Sequence, residues 1–158
     1  MSSPGRVIGA LITTALAIGA LAGPAAAKVT FSGIADVRLN MSETAVRDAL
    51  GTPTSTAPAR NPDAVSLTYR RHKIEVVVHR ARDRVVGIVT TSRAQRTSSG
   101  LGVGSSTRSV RAKLRGETCG AVRRARTLLC SVERRGRVLE FTIRRGKVVR
   151  VAVVAAAG

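Results

Sequence analysis

Aromatic side chains are nearly missing: the 158-residue chain has no Trp, one Tyr and two Phe. Surfaces that read nucleic acid stack bases on aromatic rings, so three rings in all, Phe31, Tyr69 and Phe141, leave little for that chemistry and disfavour a nucleic-acid partner. Acid is scarce as well, with nine Asp and Glu against 27 Lys and Arg. No two carboxylates stand at a spacing suited to paired acid–base work, and there is no Gly-x-Ser-x-Gly elbow. The two His, His72 and His79, fall in a turn and at a strand end and have no nucleophile and carboxylate to form a triad with. Cys119 and Cys130 are separated by ten residues, which is not a Cys-x-x-Cys motif, and with the two His they lack zinc spacing. Gly100 to Gly104 alternates glycine but lacks the Gly-Lys-Ser/Thr of a phosphate loop. No catalytic, metal or cofactor site is expected.

Long apolar runs are also missing, with one exception at the start. Met1 to Arg6 is short and positive, Val7 to Ala22 is apolar, Gly23-Pro24 breaks the run, and Ala25-Ala26-Ala27 supplies small residues before a cleavage point. That is the pattern of a secretory signal peptide over 1–27. Its apolar stretch is shorter than the ~20 residues that span a bilayer. No Cys stands at the cleavage point, which argues against a lipid anchor, and no stable membrane span is expected after cleavage. Residues 28–158 then form one domain, since either half alone is too small to hold a stable core.

What is abundant is arginine. The formal net charge is +18, and Arg outnumbers Lys 23 to 4. From Ser99 onward there are 14 basic and 3 acidic residues. Such a surface attracts polyanions in a salt-dependent way. A GC-rich genome would also enrich Arg, Ala and Gly with no ligand involved.

Two stretches share a skeleton. Val37 to Leu50 and Leu101 to Leu114 align at a shift of 64, matching Ser42 with Ser106, Val46-Arg47 with Val110-Arg111, and Leu50 with Leu114. Each Ser is a natural N-cap, Val46, Ala49 and Leu50 mark one helical face, and Gly51 with Pro53, or Gly116, ends the helix. Alternation then predicts three strands after each helix. The first set is Val65, Leu67, Tyr69, then Ile74, Val76, Val78, then Val86, Ile88, Thr90. The second is Leu128, Cys130, Val132, then Leu139, Phe141, Ile143, then Val149, Val151, Val153. The expected fold is α+β: two helix-plus-β-meander repeats, about 28–91 and 100–154 with a linker at 92–99, forming one antiparallel sheet with the short helices packed on one face.

An even cysteine count in an exported chain favours a Cys119–Cys130 disulfide, tying the loop after the second helix to the first strand of its meander. The hairpin turns carry the arginines: Arg70 and Arg71, Arg80 and Arg82, Arg134 and Arg135, Arg144 and Arg145. Equivalent turns are expected on one rim of the sheet, so that Arg70, Arg71, Arg134 and Arg135 share an edge and Arg80, Arg82, Arg144 and Arg145 the other. These eight are the candidate surface for an anionic partner.

A capped helix ending in Leu50-Gly51-Thr52-Pro53 and followed by antiparallel strands resembles the module of the β-lactamase inhibitory protein and of SmpA/OmlA-type outer-membrane assembly lipoproteins. The resemblance covers most of Val37 to Val154 and implies helices on one sheet face and a protein-binding role. Together these readings predict a secreted, non-catalytic binding module of the cell exterior, whose partner is a protein or an anionic envelope polymer. The alternative is a secreted inhibitor of an extracellular hydrolase such as a β-lactamase or protease.

Overall fold

The computed structural model describes residues 29–122 and 126–156. The signal-peptide reading of 1–27 therefore lies outside the described residues. Three two-residue strands, β1 (Val29–Thr30), β2 (Gly33–Ile34) and β3 (Val37–Arg38), form a small antiparallel sheet that buries Ile34 and Val37 completely. Gly33 is required there, because a Cβ at that position would lie 2.1 Å from the Val37 carbonyl oxygen. Helix α1 (Glu43–Leu50) follows, with Ser42 capping it by accepting from Ala45 N–H. Four strands come next: β4 (Ser55–Pro58), β5 (Ala64–Tyr69), β6 (Ile74–His79) and β7 (Arg84–Thr90).

The second half also places one helix ahead of four strands, without a three-stranded sheet before it among the described residues. Arg96 and Gly102 form an isolated antiparallel bridge, Ser106 caps α2 (Thr107–Lys113) by accepting from Ser109 N–H, and four strands follow. These are β8 (Thr118–Val122), β9 (Thr127–Arg134), β10 (Arg137–Arg144) and β11 (Lys147–Ala155). Like positions make like bonds. Asn40 N–H donates to Val85 O and Val85 N–H to Met41 O; Gly104 N–H donates to Val148 O and Val148 N–H to Ser105 O. The register of β6 on β7 shifts at Val77/Val78, and that of β10 on β11 at Thr142/Ile143.

All eight long strands lie in one antiparallel sheet, ordered β4-β5-β6-β7-β11-β10-β9-β8. The two meanders join through their last strands, with Thr90 opposite Val151 and Gly87 opposite Val154. A row across the sheet runs Leu67, Val76, Ile88, Val153, Leu139, Val132, and every member is buried. Val46 of α1 and Val110 of α2, both fully buried, belong to the same core cluster. Both helices are too short to persist alone and are held by this packing. The opposite face of the sheet carries Ser66, Glu75, Val77 and His79 on one side of the seam and Glu140, Thr142 and Arg150 on the other.

The α+β expectation of helix-plus-three-strand units is corrected by this architecture. Half of the described residues are in strands and 12% in two helices, so the fold is mainly β, an eight-stranded sheet beside a three-stranded one. The additional strands β4 and β8 are the two sheet edges, and their residues are exposed almost throughout. A strand wet on both faces needs no alternation, and neither Ser-Thr-Ala-Pro nor Thr-Cys-Gly-Ala-Val shows any. Among the described residues no helix is long and apolar enough to cross a membrane.

Candidate functional site

The eight turn arginines are all exposed. In the second half the turns are two residues long, Arg135-Gly136 and Arg145-Gly146, with positive φ at both positions (51° and 69°, 48° and 75°). That is the type I′ geometry whose twist matches the strands it joins, and Gly takes the second position without strain. The first-half turns are longer, closed by Lys73 N–H donating to Arg70 O at 3.1 Å and Asp83 N–H donating to Arg80 O at 3.3 Å. Asp83 has a second duty: its Oδ1 accepts from Glu43 N–H at 2.9 Å, bracing the first turn of α1.

The arrangement of the rims differs from the sequence expectation. Because β7 and β11 meet antiparallel, the second meander is laid down inverted relative to the first. Arg70 and Arg71 therefore share an end of the sheet with Arg144 and Arg145, while Arg80 and Arg82 share the other with Arg134 and Arg135. On that second end the two turns are three strand spacings apart, about 14 Å.

Little neutralises these charges. Among the described residues the one ion pair is Glu43 with Arg47, an i, i+4 pair on α1. Arg84 donates to Asn40 O, and Arg96 to the carbonyls of Gly100 and Val103, so those two serve the fold. Arg134 lies over the ring of Phe31, its Cζ 5.0 Å from the centroid. Phe31 was not among the candidates from sequence; it falls in the weakly alternating stretch Lys28 to Leu39, which reads as an irregular entry strand, and only its pairing with Arg134 across the fold marks it. A cavity of about 450 Å³ is lined by Phe31, Arg134, Arg135 and Arg137. A second, of about 370 Å³, is lined by Phe31 and Arg134 together with Ser98, Lys113 and Arg115.

The disulfide joins Cys119 to Cys130, which face each other across β8 and β9 with Cα atoms 4.1 Å apart. Cys119 thus sits in an edge strand and not in a loop. The like pair in the first half is Thr56 opposite Leu67.

The histidines do not assemble a catalytic group. His72 is exposed in the β5–β6 turn. Ser66 donates to Glu75 at 2.6 Å, and His79 lies on the same sheet face as Glu75, but four residues further along β6, about 13 Å away. Among the described residues no group of three or more His, Cys, Asp or Glu could hold a metal ion. Tyr69 is buried with no partner for its hydroxyl, and burial raises its pKa above 10.0; Arg47 draws it back and Glu43 adds to the rise.

No protein-family model matches the chain, and no curated protein sequence matches it. Solved structures do share the fold. An extracellular protein containing an SCP domain from Bacillus anthracis superposes with a TM-score of 0.56 at 10% identity, over 74% of this chain and 44% of that one. This chain thus spans less than half of that protein's length. The uncharacterised protein yfeY from Escherichia coli superposes with a TM-score of 0.56 at 15% identity, over 80% of this chain and 99% of that one. A DUF4309 family protein (YjgB) from Bacillus subtilis aligns at 14% identity over 72% of this chain and 78% of that one, with a TM-score of 0.48. These likenesses concern the fold alone, and the resemblance to the β-lactamase inhibitory protein and SmpA/OmlA-type lipoproteins is not shown by them.

Proposed function

We propose that this chain is an exported, non-catalytic binding protein that meets a protein or an anionic envelope polymer through the arginine-bearing ends of its sheet. One observation carries the reading: the turn arginines stand exposed at both ends, and one ion pair is all that the described residues offer against a formal charge of +18. Guanidinium groups without an ion-pair partner, two of them (Arg135 and Arg145) on rigid two-residue turns and Arg144 steadied by donating to Thr127, are preorganised for carboxylate or phosphate. Export is supported by the leader-like residues 1–27, by the Cys119–Cys130 bridge, which suits an oxidising compartment, and by the extracellular protein among the fold's neighbours.

The test is binding of the protein lacking residues 1–27 to isolated anionic envelope polymer across a salt series. Affinity falls steeply with salt, and replacing Arg134, Arg135, Arg144 and Arg145 by Ser weakens binding and flattens that dependence. Salt-insensitive binding, or none, refutes the polymer reading, and retained binding to a protein from the same extract leaves the protein partner.

A further inference from the structure

We propose that the trough around Phe31 is a binding site for a hydroxyl-rich anionic chain: a glycan or polyol polymer carrying phosphodiester or carboxylate groups. This rests on the reading of the protein as a binder of anionic partners and assigns that binding to one place.

Phe31 is the odd ring of the three. Tyr69 and Phe141 are buried at 2% and 0% exposure, whereas Phe31, in the turn between β1 and β2, is only partly buried at the edge of the core. The part of the ring that the core leaves uncovered lines both cavities, where it can meet a partner. Arg134 rests on it, and a guanidinium already held against a ring has less freedom to lose when it binds an oxyanion. The two cavities beside Phe31 share that ring and Arg134 in their linings, and together they make up the trough. Five cations line it, and no Asp or Glu does.

The rest of the lining distinguishes ligand classes. Ser98 and Ser99 bring hydroxyls with bonding capacity left, those of Thr30 and Thr97 being engaged within the fold, while Phe31 supplies apolar surface. Alternating hydroxyl, cation and ring suits a chain whose units carry hydroxyls, an anion and a C–H face. An acidic peptide would leave the hydroxyls of Ser98 and Ser99 to water. The length of the end fits a polymer as well. Arg80 and Arg82 lie on the same end of the sheet, about 14 Å along, within reach of an extended chain that occupies the trough.

Titration of the protein lacking residues 1–27 with four probes tests this: polygalacturonate, poly(glycerol phosphate), poly-L-glutamate and neutral dextran. The expectation is binding to one or both of the first two, about tenfold weaker binding to poly-L-glutamate, and none to dextran. Whichever of the first two binds names the anionic group. Arg134→Gln/Arg137→Gln should weaken binding by about tenfold or more, and Arg60→Gln/Arg108→Gln, which removes the same charge from exposed sites outside the trough, by less than about twofold. Phe31→Leu keeps the apolar contact and removes the ring, and should also weaken binding; unchanged melting temperatures establish that each variant is folded. Equal losses in the two double variants, or binding unaffected by Phe31→Leu and Arg134→Gln/Arg137→Gln, overturn the trough while leaving an anionic partner in place. Equal affinity for poly-L-glutamate overturns the ligand class. Failure of every polyanion to bind overturns both the trough and the polyanion reading beneath it.

Discussion

Breaking the Cys119–Cys130 bridge should loosen one edge of the sheet and leave the rest standing. The bridge closes a sequence separation of 11, so the chain-entropy model assigns it about 2.8 kcal/mol. That value is a ceiling here. β8 pairs with β9 alone, and four of its five residues are exposed, so the strand contributes little to the core it borders. Once unbridged it can fray, and the native state then recovers part of the entropy that the unfolded state gains. Cys119→Thr/Cys130→Val is the suitable variant. It keeps strand-forming side chains, leaves the buried position at 130 apolar, and copies the Thr at position 56 that faces Leu67 on the other edge. The expected result is a fall in melting temperature of no more than about 10 °C for a domain of this size. Hydrogen exchange of native protein should show amides of β8 opening at nearly no cost while β5, β6 and β10 keep their protection. A much larger loss of stability, or protection lost evenly across the sheet, would refute the view that the bridge acts on its own edge strand. Unchanged protection in β8 would refute it from the other side.

Tyr69 is the one tyrosine, so absorbance at 295 nm reads it alone; its titration should lie above pH 10 in the folded protein and drop to the ordinary value on unfolding. A raised folded-state pKa means stability held below pH 10 and lost as pH rises through the folded value, so alkaline unfolding should track this titration. Val46→Ala and Val110→Ala each remove two methyl groups from fully buried helix positions and should cost about 2–3 kcal/mol apiece by chemical denaturation. Losses near zero for either would show that its helix does not anchor on the sheet.

Much of the architecture could be read from residue patterns. Ser42 and Ser106 cap the two helices, and the six strands appear where the residue pattern predicts them. β6 and β10 alternate buried and wetter positions, but Gly87 to Thr90 of β7 are buried without a break. Val85 and Val148 take the core places read for Val86 and Val149, because register shifts skip those two residues. The edge strands β4 and β8 could not be read this way, for they have no buried face to impose a period. The three short strands before α1 are held by Gly33, Ile34 and Val37 over too few residues to show any period. The site was half legible. The turn arginines follow from turn chemistry, but which of them share an end depends on how one meander is laid against the other. That choice is made by the pairing of Gly87–Thr90 with Val151–Val154, and neither segment states its partner. Phe31 and Arg134, some hundred positions apart, meet for the same reason.

That pairing also bears on how the chain reaches its native state. Every other neighbour pair in the large sheet links consecutive strands through a hairpin, which a chain can zip locally and early. The seam joins Thr90 to Val151 and Gly87 to Val154, so its closure brings together residues more than sixty positions apart. Loop-closure entropy must be overcome there before any contact repays it. Two quickly formed halves waiting on one slow junction is the folding order this topology imposes. Until the junction closes, β7 and β11 each present an unpaired apolar edge on which the halves of different molecules can exchange partners.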